Sequence, residues 1–222
     1  MGLFDKNKKN KDKENEEEVE ALGWDAITEA FDKVYPGQDN PKHYGTLVSW
    51  RLGGPDPIDG ISIYDGGDYW HFVTYGLSDL YEKETDDPEW SGYGMEFTMR
   101  LKKGCYNPED EEDEIKCVIG NLQNIAKITF NSGELFLPWE WIYTGQKNGI
   151  DLNHASKLTG FITVPDTLVP PIETPFGKVE FVEFVGAADA ELLKIQSKET
   201  TVRELFEKLG SDITDYKRES IF

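Results

Sequence analysis

The sequence lacks long apolar runs and is poor in cysteine, histidine and basic residues. No stretch approaches the roughly 18 apolar residues that a membrane-spanning helix needs, and the charged N-terminus lacks the apolar core of a signal peptide. Lys6 occupies the position at which N-myristoylation favours Ser or Thr. These absences predict a soluble, cytoplasmic protein that does not bind membranes.

Cysteine and histidine are too sparse to indicate a metal site. The sequence has two cysteines, Cys105 and Cys117, and three scattered histidines, with no CxxC or HxxxH spacing. Because nothing indicates an oxidising compartment, free thiols are favoured over a disulfide. We therefore expect no metal and no cofactor.

Basic residues are outnumbered, with 23 Lys and Arg against 43 Asp and Glu, and the net charge is −20. Such a surface repels nucleic acid and anionic lipid and attracts a basic protein. Solubility alone also accounts for an acidic surface. Charge therefore excludes nucleic acid as a partner and leaves the two other readings open.

Charge also divides the chain. Residues 1–21 hold a lysine-rich block followed by a glutamate-rich block, with almost nothing apolar to bury. This composition predicts a disordered, charged tail over residues 1–21 and a folded domain over residues 22–222.

The folded part mixes helical and strand patterns. Trp24, Ile27, Phe31 and Val34 share one helical face. Strands are predicted at "TLVSWRL", at "ISIYDGGDYWHFVTY" as a hairpin, and at "GMEFTMRLKK", where strict alternation indicates a half-buried strand.

A second helix is predicted around "IKCVIGNLQNIAKITF", followed by strands at "LTGFITVPD" and "GKVEFVEFVG", the latter apolar on both faces and therefore central. Two short helices follow, one capped by Asp189 and one by Thr201 with Glu204, the second ending at Gly210. A short last strand closes the chain. The order predicts an α+β fold: a single mixed α/β domain with a central, largely antiparallel or mixed sheet flanked by helices.

The acidic run Glu109–Glu114 stands where the second helix begins. Negative charge there suits the helix dipole and the exposed N–H groups. A contact patch for a basic partner is the alternative, and a solvated helix start is favoured because charge runs usually stay in water.

Catalytic motifs are incomplete. Gly76-Leu77-Ser78 begins a nucleophile elbow, but Leu80 replaces its last glycine, so Ser78 is favoured as a cap. The stretch from Gly92 begins a dinucleotide-binding motif but has Phe97 at the third glycine position. A cysteine–histidine pair has no local signature. We expect no enzyme activity, and a hydrolase is kept as a remote alternative.

The segment "YWHFVTYGLSDLY", residues 69–81, concentrates five aromatic rings and one histidine. In a strand Trp70 and Phe72 point to one face, which suits a core, whereas Tyr69, His71 and Tyr75 point to the other. Polar-tipped rings suit a partner surface. A buried sheet with satisfied hydroxyls is the competing interpretation.

Six segments resemble the suppressor of fused family, specifically its N-terminal domain. They are "YPGQDNPKHYG", "LGGPDPIDGISIY", "YWHFVTYGLSDLY", "SGYGMEFTMRLKK", "TPFGKVEFVEFVG" and "ITDYKRESIF", in family order from about Trp24 to Phe222. The resemblance implies a non-enzymatic, protein-binding α+β domain. In animals the family sequesters a transcription factor by clamping a short peptide between two domains.

This chain ends after the first of those domains, so the pattern of two clamping domains is incomplete. It is similar to short bacterial members, which implies an immunity protein or antitoxin that neutralises a basic toxin, such as a nuclease, by direct binding. An intracellular scaffold or regulator that holds a peptide or transcription factor is the alternative.

By motif match, the resemblance implies partner-binding roles for four residues: His71, Tyr75 and Tyr81 as ring anchors and Asp79 as a carboxylate for a basic group. The glycines and prolines of "LGGPDP" are expected to shape a turn beside them.

Overall fold

The computed structural model describes residues 20–222. Its helices are α1 (Leu22–Val34), α2 (Glu111–Ser132), α3 (Asp189–Gln196) and α4 (Val202–Leu209). Its strands are β1 (Lys42–Gly45), β2 (Gly60–Asp65), β3 (Tyr69–Tyr75), β4 (Trp90–Lys102), β5 (Trp141–Ile142), β6 (Leu158–Pro165), β7 (Ile172–Thr174), β8 (Gly177–Ala188) and β9 (Ile213–Thr214). The tail predicted over residues 1–21 lies outside the described residues, except for Glu20 and Ala21.

One mixed sheet organises the domain. Its strand order is β1-β2-β3-β4-β8-β6-β5, with β7 paired to β8 and β9 paired to β4. β4 runs parallel to β8 and to β9, whereas the other pairs are antiparallel. The predicted α+β class, the β2–β3 hairpin and the central position of β8 are confirmed.

The long helix α2 covers one face of the sheet. Its apolar stripe, which includes Ile115, Val118 and Leu122, packs in one cluster with Phe72 and Phe97. Alternation along each strand sends those rings to the same side. Burial of such rings removes apolar area from water at about 25 cal/mol per Å², so this layer forms the main apolar core.

Helix α1 covers the opposite face beside β2 and β3. Ile27 and Phe31 are fully buried and pack with Tyr64, Val73 and Tyr75. Helices α3 and α4 cover the same face beside β6 and β8. The sheet is therefore sandwiched between helices, and within residues 20–222 no helix has the length and apolarity to cross a bilayer.

The strand predicted at "TLVSWRL" is wrong. The sheet edge is formed earlier, by β1, and residues 46–52 instead form a loop with one 3₁₀ turn at Trp50–Leu52. Leu47 is fully exposed at 102%, so alternation there reflects no buried face. Leu47, Val48 and Leu52 of this loop are exposed, whereas Trp50 is half-buried.

The prediction that β4 is half-buried is also wrong. Its polar members Glu96, Thr98 and Arg100 are as buried as its apolar ones, at 0%, 0% and 4% exposure. They lie on the face that α1 covers, which the period-two argument assigned to water. Glu96 and Arg100 bind partners within the protein, whereas the buried Thr98 hydroxyl has no hydrogen-bond partner among residues 20–222.

The capping box of Thr201 with Glu204 and the left-handed end at Gly210 are confirmed. Asp189 is not the cap of α3. Ala188 occupies that position, and Asp189 is the first helical residue, where its carboxylate binds Tyr143 and Lys147. The Tyr143 hydroxyl and the Lys147 ammonium group are therefore the partners of this carboxylate, in place of helix N–H groups.

Gly23 allows α1 to touch the turn that follows β3. Its N–H donates to the Leu80 carbonyl at 2.9 Å, and a Cβ at Gly23 would lie 2.1 Å from the Asp79 carbonyl oxygen. The atoms that such a Cβ would meet, in Asp79 and Leu80, all belong to the backbone. Only glycine therefore permits this approach.

We expect Gly23→Ala to lower the free energy of unfolding by about 1–3 kcal/mol, because the added methyl forces α1 away from the turn. Gly120→Ala is the matched control, since Gly120 lies inside α2 with nothing within 4 Å of an added Cβ. It should raise stability by about 0.5–1 kcal/mol. Urea unfolding followed by tryptophan fluorescence measures both. Equal stability of the Gly23→Ala variant and the parent would contradict the close contact.

Candidate functional site

A groove of about 600 Å³ opens beside the turn that follows β3. We call it the GLSDLY groove. Its walls come from the 46–59 loop, the turn at residues 76–81, residues 84–85, the start of β4 and the end of α2. The lining residues are Ser49, Trp50, Arg51, Pro57, Asp59, Gly76, Leu77, Ser78, Asp79, Leu80, Tyr81, Glu84, Thr85, Gly92, Tyr93 and Phe130.

The buried Glu96 carboxylate fixes the first half of the turn. Its Oε1 accepts hydrogen bonds from the N–H groups of residues 76–78, at 2.9–3.1 Å, and from the Ser78 hydroxyl at 2.7 Å. Its Oε2 accepts from the Thr74 hydroxyl at 2.6 Å. Burial raises the pKa of Glu96 to about 7, and hydrogen bonds from Thr74, Ser78 and Gly76 oppose this rise. The contacts are all donors, which matches an ionised carboxylate.

Asp79 fixes the second half of the turn to β4. Its Oδ2 accepts from the Gly92 N–H at 2.9 Å, and its own N–H donates to the Ser91 hydroxyl at 3.0 Å. Gly92 has φ +56°, and a Cβ there would lie 2.7 Å from the Leu77 carbonyl oxygen. The turn and the start of β4 therefore form one rigid wall.

Two apolar side chains near the groove are exposed, Tyr81 in its lining and Leu52 in the neighbouring 46–52 loop. Leu52 is 81% exposed and Tyr81 is 47% exposed. The Trp50 ring meets the Phe130 ring edge to face at 6.0 Å, which attaches the 46–52 loop to α2. Exposed apolar side chains beside a concave site indicate a contact surface.

The groove is also acidic. Asp59, Asp79 and Glu84 line it with one guanidinium, Arg51, which pairs with Glu84. Burial raises the pKa of Asp59, and the charge of Arg51 opposes the shift. Lys83 Nζ also lies 3.9 Å from Asp79 Oδ2. Asp59 is therefore the one of these three carboxylates without an ion pair among residues 20–222, and a cationic group is the ligand that would compensate it.

A second polar set lies under α1, away from the groove. The Tyr35 hydroxyl is 2.7 Å from His71 Nδ1, and His71 Nε2 is 2.9 Å from the Asp166 carboxylate. A neutral imidazole fits both contacts when Nδ1 accepts from the Tyr35 hydroxyl and Nε2–H donates to Asp166; the Tyr35 hydroxyl also lies 3.3 Å from the Tyr69 hydroxyl. Burial lowers the pKa of His71, and Asp166 opposes this only in part.

Arg100 extends this polar set across the sheet. Its guanidinium forms a fork with the Glu183 carboxylate at 2.8–2.9 Å and meets Asp212 at 2.5 Å. Burial raises the pKa of Glu183, and Arg100 opposes that rise. The set therefore connects β4, β8 and the segment before β9.

The four sequence-predicted site residues occupy different environments. His71 and Tyr75 have no exposed surface, and Asp79 is 5% exposed. Tyr75 stacks on Trp24 of α1 at 4.1 Å, so α1 covers the face that the sequence assigned to a partner. Asp79 and Tyr81 both line the groove, whereas His71 and Tyr75 do not. Their partner contacts stay a prediction, and in this conformation only Tyr81 offers a large exposed surface.

The other sequence-level candidates are also placed. The Ser78 hydroxyl donates to Glu96, which fits a structural turn residue. Cys105 and Cys117 are free thiols, and burial raises the pKa of each to about 11. Among residues 20–222, no group of three metal-ligating side chains converges.

The acidic run divides at the start of α2. Glu109 and Asp110 belong to a 3₁₀ turn, and α2 begins at Glu111. Glu114 is 1% exposed and accepts from the Leu152 N–H. One residue of the run is therefore internal, and contact of the others with a partner stays a prediction.

Sequence reasoning did not identify Glu96, the buried carboxylate that holds the turn at residues 76–78. The alternation of "GMEFTMRLKK" placed Glu96 in water, and no local pattern distinguishes a buried acid from a solvated one. It also missed Asp59, Trp50 and Phe130, which reach the groove through the tertiary structure. The "GLSDLY" and "LGGPDP" segments were the available signal, and Pro57 of the latter lies in the groove wall.

Fold and groove together define an α+β domain in which a buried anion holds a turn against an open, acidic and apolar groove. A family model, that of suppressor of fused protein (SUFU), matches residues 54–219. The chain therefore belongs to the suppressor of fused family.

Relatives extend the match to most of the chain. The proteins named suppressor of fused homolog from Homo sapiens and Mus musculus are each 32% identical to it, over 78% of this chain and 37% of their own length. The chain thus spans little more than a third of these curated relatives.

Solved structures share the fold. The crystal structure of the Sufu-Fu complex matches with 28% identity and a TM-score of 0.76, covering 91% of this chain and 93% of the other. Drosophila Suppressor of Fused matches with the same identity and TM-score over 91% of this chain and 52% of its own. A Neisseria gonorrhoeae homologue, at 15% identity and a TM-score of 0.55, covers 88% of this chain and 94% of its own and shows the fold alone.

We expect Glu96→Gln to lower the free energy of unfolding by about 2 kcal/mol, because the amide loses charge and turns a donor toward the Thr74 hydroxyl. The measurement is urea unfolding at about pH 8, where the carboxylate is ionised. Glu180→Gln is the control, since its 30% exposed side chain pairs with Lys178 at the surface and should contribute less than about 1 kcal/mol. Equal losses in both variants would contradict the role of Glu96.

We expect the free energy of unfolding to depend on pH through His71. Its pKa is lowered in the folded protein. As pH falls below about 6.5, the unfolded chain therefore binds a proton at His71 while the folded state does not. This contribution to stability is present above that pH and is lost below it. The stability difference between the parent and His71→Gln should therefore shrink from about pH 8 to pH 5. Parallel pH profiles would contradict a neutral His71.

Proposed function

We propose that this protein is a non-enzymatic protein-binding module, a scaffold or regulator that holds a peptide segment of a partner in the GLSDLY groove. The observation that carries the proposal is the convergence of the "LGGPDP", "GLSDLY" and "SGYG" segments on one open groove. Turn residues far apart in the sequence thus build a single concave surface.

The chemistry of the groove favours a peptide with apolar and basic side chains. Trp50, Tyr81, Tyr93 and Phe130 provide rings for apolar contact. Tyrosine and tryptophan are enriched at the energetic centres of interfaces. Asp59 and Glu84 favour a lysine or arginine over an acidic residue, because like charges across an interface are costly.

The candidate nucleophiles support binding rather than catalysis. The Ser78 hydroxyl is held by Glu96 and has no histidine partner among its hydrogen bonds within residues 20–222. The raised pKa values of both cysteines keep them as thiols, which are poor nucleophiles. Free thiols also fit the cytoplasmic location that we propose, since reducing compartments keep cysteines unpaired.

Family membership supports the same conclusion. A relative that shares the fold over 91% of this chain was crystallised as the Sufu-Fu complex. That relative is therefore a protein seen bound to another. We extend to this chain the general role of holding a protein, without the identity of that partner.

A second candidate function is neutralisation of a basic toxin by an immunity protein. The net charge of −20 favours it, because an acidic inhibitor is steered onto a basic enzyme and covers its substrate surface. The regulator is preferred, since the groove is built for a segment of chain rather than for a broad charged face.

We expect Tyr81→Ala to weaken partner binding by about tenfold or more, because it removes a half-exposed ring from the groove. The partner is first captured from lysate of the source cells with the parent protein and identified by mass spectrometry. Titration of the purified partner then gives Kd for each variant. Phe222→Ala is the control, since Phe222 is 38% exposed and lies outside the groove.

The same titration separates the two candidate functions. A regulator that binds through the groove loses affinity in Tyr81→Ala and only modestly in high salt. A toxin held by charge loses affinity steeply as ionic strength rises, because exposed charges are screened beyond about 10 Å. Unchanged affinity in Tyr81→Ala together with loss in Phe222→Ala would contradict the groove as the binding site.

A further inference from the structure

We infer that residues 3–11 of this chain, "LFDKNKKNK", bind in its own GLSDLY groove and compete there with the protein partner. The inference rests on the proposed function of the groove for the competition, and on three observations for the contact itself. They are the position at which the chain enters the fold, the chemistry of the segment and its reach.

The described chain begins at the groove wall. The Gly23 N–H donates to the Leu80 carbonyl at 2.9 Å, and the Gly23 Cα faces the Asp79 carbonyl oxygen. Asp79 and Leu80 both line the groove. The residues that precede α1 are therefore attached beside the groove and not at a distant face.

The apolar and basic side chains of the segment complement the rings and carboxylates of the groove. Leu3 and Phe4 are followed by Lys6, Lys8 and Lys9. The groove offers rings to the apolar pair and the Asp59 carboxylate to the lysines. Asp59 is the strongest match, because within residues 20–222 no ion pair to its carboxylate is found within 4.0 Å and burial raises its pKa. A docked lysine would add a positive charge beside Asp59, which otherwise feels only the nearby Arg51.

The reach of the segment is sufficient. Ten residues lie between Lys9 and Glu20, and each spans at most about 3.3–3.6 Å when extended. The glutamate-rich block at residues 14–18 lies between them. Like charge keeps that block out of the acidic groove, so the docked part is limited to residues 3–11.

The consequence is a built-in competitor. A tethered segment acts at an effective concentration in the millimolar range. Even weak binding then occupies the groove for much of the time, and a partner must displace it. Affinity for the partner would be multiplied by the fraction of molecules in which the groove is free.

Zero-length carbodiimide coupling of the full chain tests the contact directly. The reagent joins a lysine amine to a carboxylate that touches it. We expect isopeptide links from Lys6, Lys8, Lys9 or Lys11 to Asp59 or Glu84 in the monomer fraction, found by mass spectrometry. A mixture of ¹⁴N- and ¹⁵N-labelled chains distinguishes links within one molecule from links between molecules.

A variant pair supplies the control. Leu3→Ser with Phe4→Ser should lower the yield of these links several-fold, whereas Val19→Ser should not, because Val19 lies outside the docked segment. Hydrogen exchange provides a second measurement. Amides of residues 46–52 should exchange about two- to tenfold faster in the double variant, as expected for release of a tethered ligand.

Coupling of these lysines only to acids outside the groove, or only between molecules, would overturn the inference. Identical exchange at residues 46–52 in the parent and the double variant would do so as well. Both measurements use the chain alone, so their failure leaves the partner-binding role of the groove standing. A failed partner capture with a positive link would instead remove the proposed function and keep the self-contact.

Discussion

The shape of the groove depends on one buried anion, the carboxylate of Glu96. The turn after β3 leaves the sheet ladder, so its N–H groups lose strand partners and would be costly to bury unpaired. A single carboxylate from the neighbouring strand accepts three of them and two hydroxyls. The cost of burying the carboxylate is offset by its hydrogen bonds to these donors, which would otherwise be buried without partners. The same hydrogen bonds hold the turn rigid.

Rigidity then passes to α1 and to β4. Leu80 receives the Gly23 N–H, and Asp79 receives the Gly92 N–H. The polar set under α1 works in the same way, since Tyr35 of the α1 end reaches His71, and Arg100 reaches Asp212 before β9. Removal of one member of such a set leaves a buried group unpaired, which is costlier than replacing the pair. Polar contacts therefore fix the relative positions of elements that apolar packing alone would leave adjustable.

The predictable part of this fold comes from local periodicity. Phe31 in α1 and Thr201 with Glu204 in α4 are set by helical spacing and a cap, and the β2–β3 hairpin is set by its turn residues. Prediction failed where tertiary coverage decided the outcome. Glu96 and His71 look like solvent or interface residues in a strand, and only the packing of α1 over that face shows that they are internal. The groove was indicated by its "GLSDLY" turn, but its opposite wall was not.

Burial also changes the meaning of the net charge. Glu96, Asp166, Glu183 and Glu191 are internal and bound to donors of the same chain, so they attract no partner at a distance. Attraction arises from solvent-facing acids, and at the groove this reduces mainly to Asp59, because Arg51 pairs with Glu84. The charge of the whole surface affects how fast a partner meets the protein. A few partly desolvated carboxylates beside aromatic rings determine which segment binds tightly. The selectivity that we propose for a basic, apolar segment would therefore come from the groove, and the −20 charge would serve mainly to bring such a segment near it.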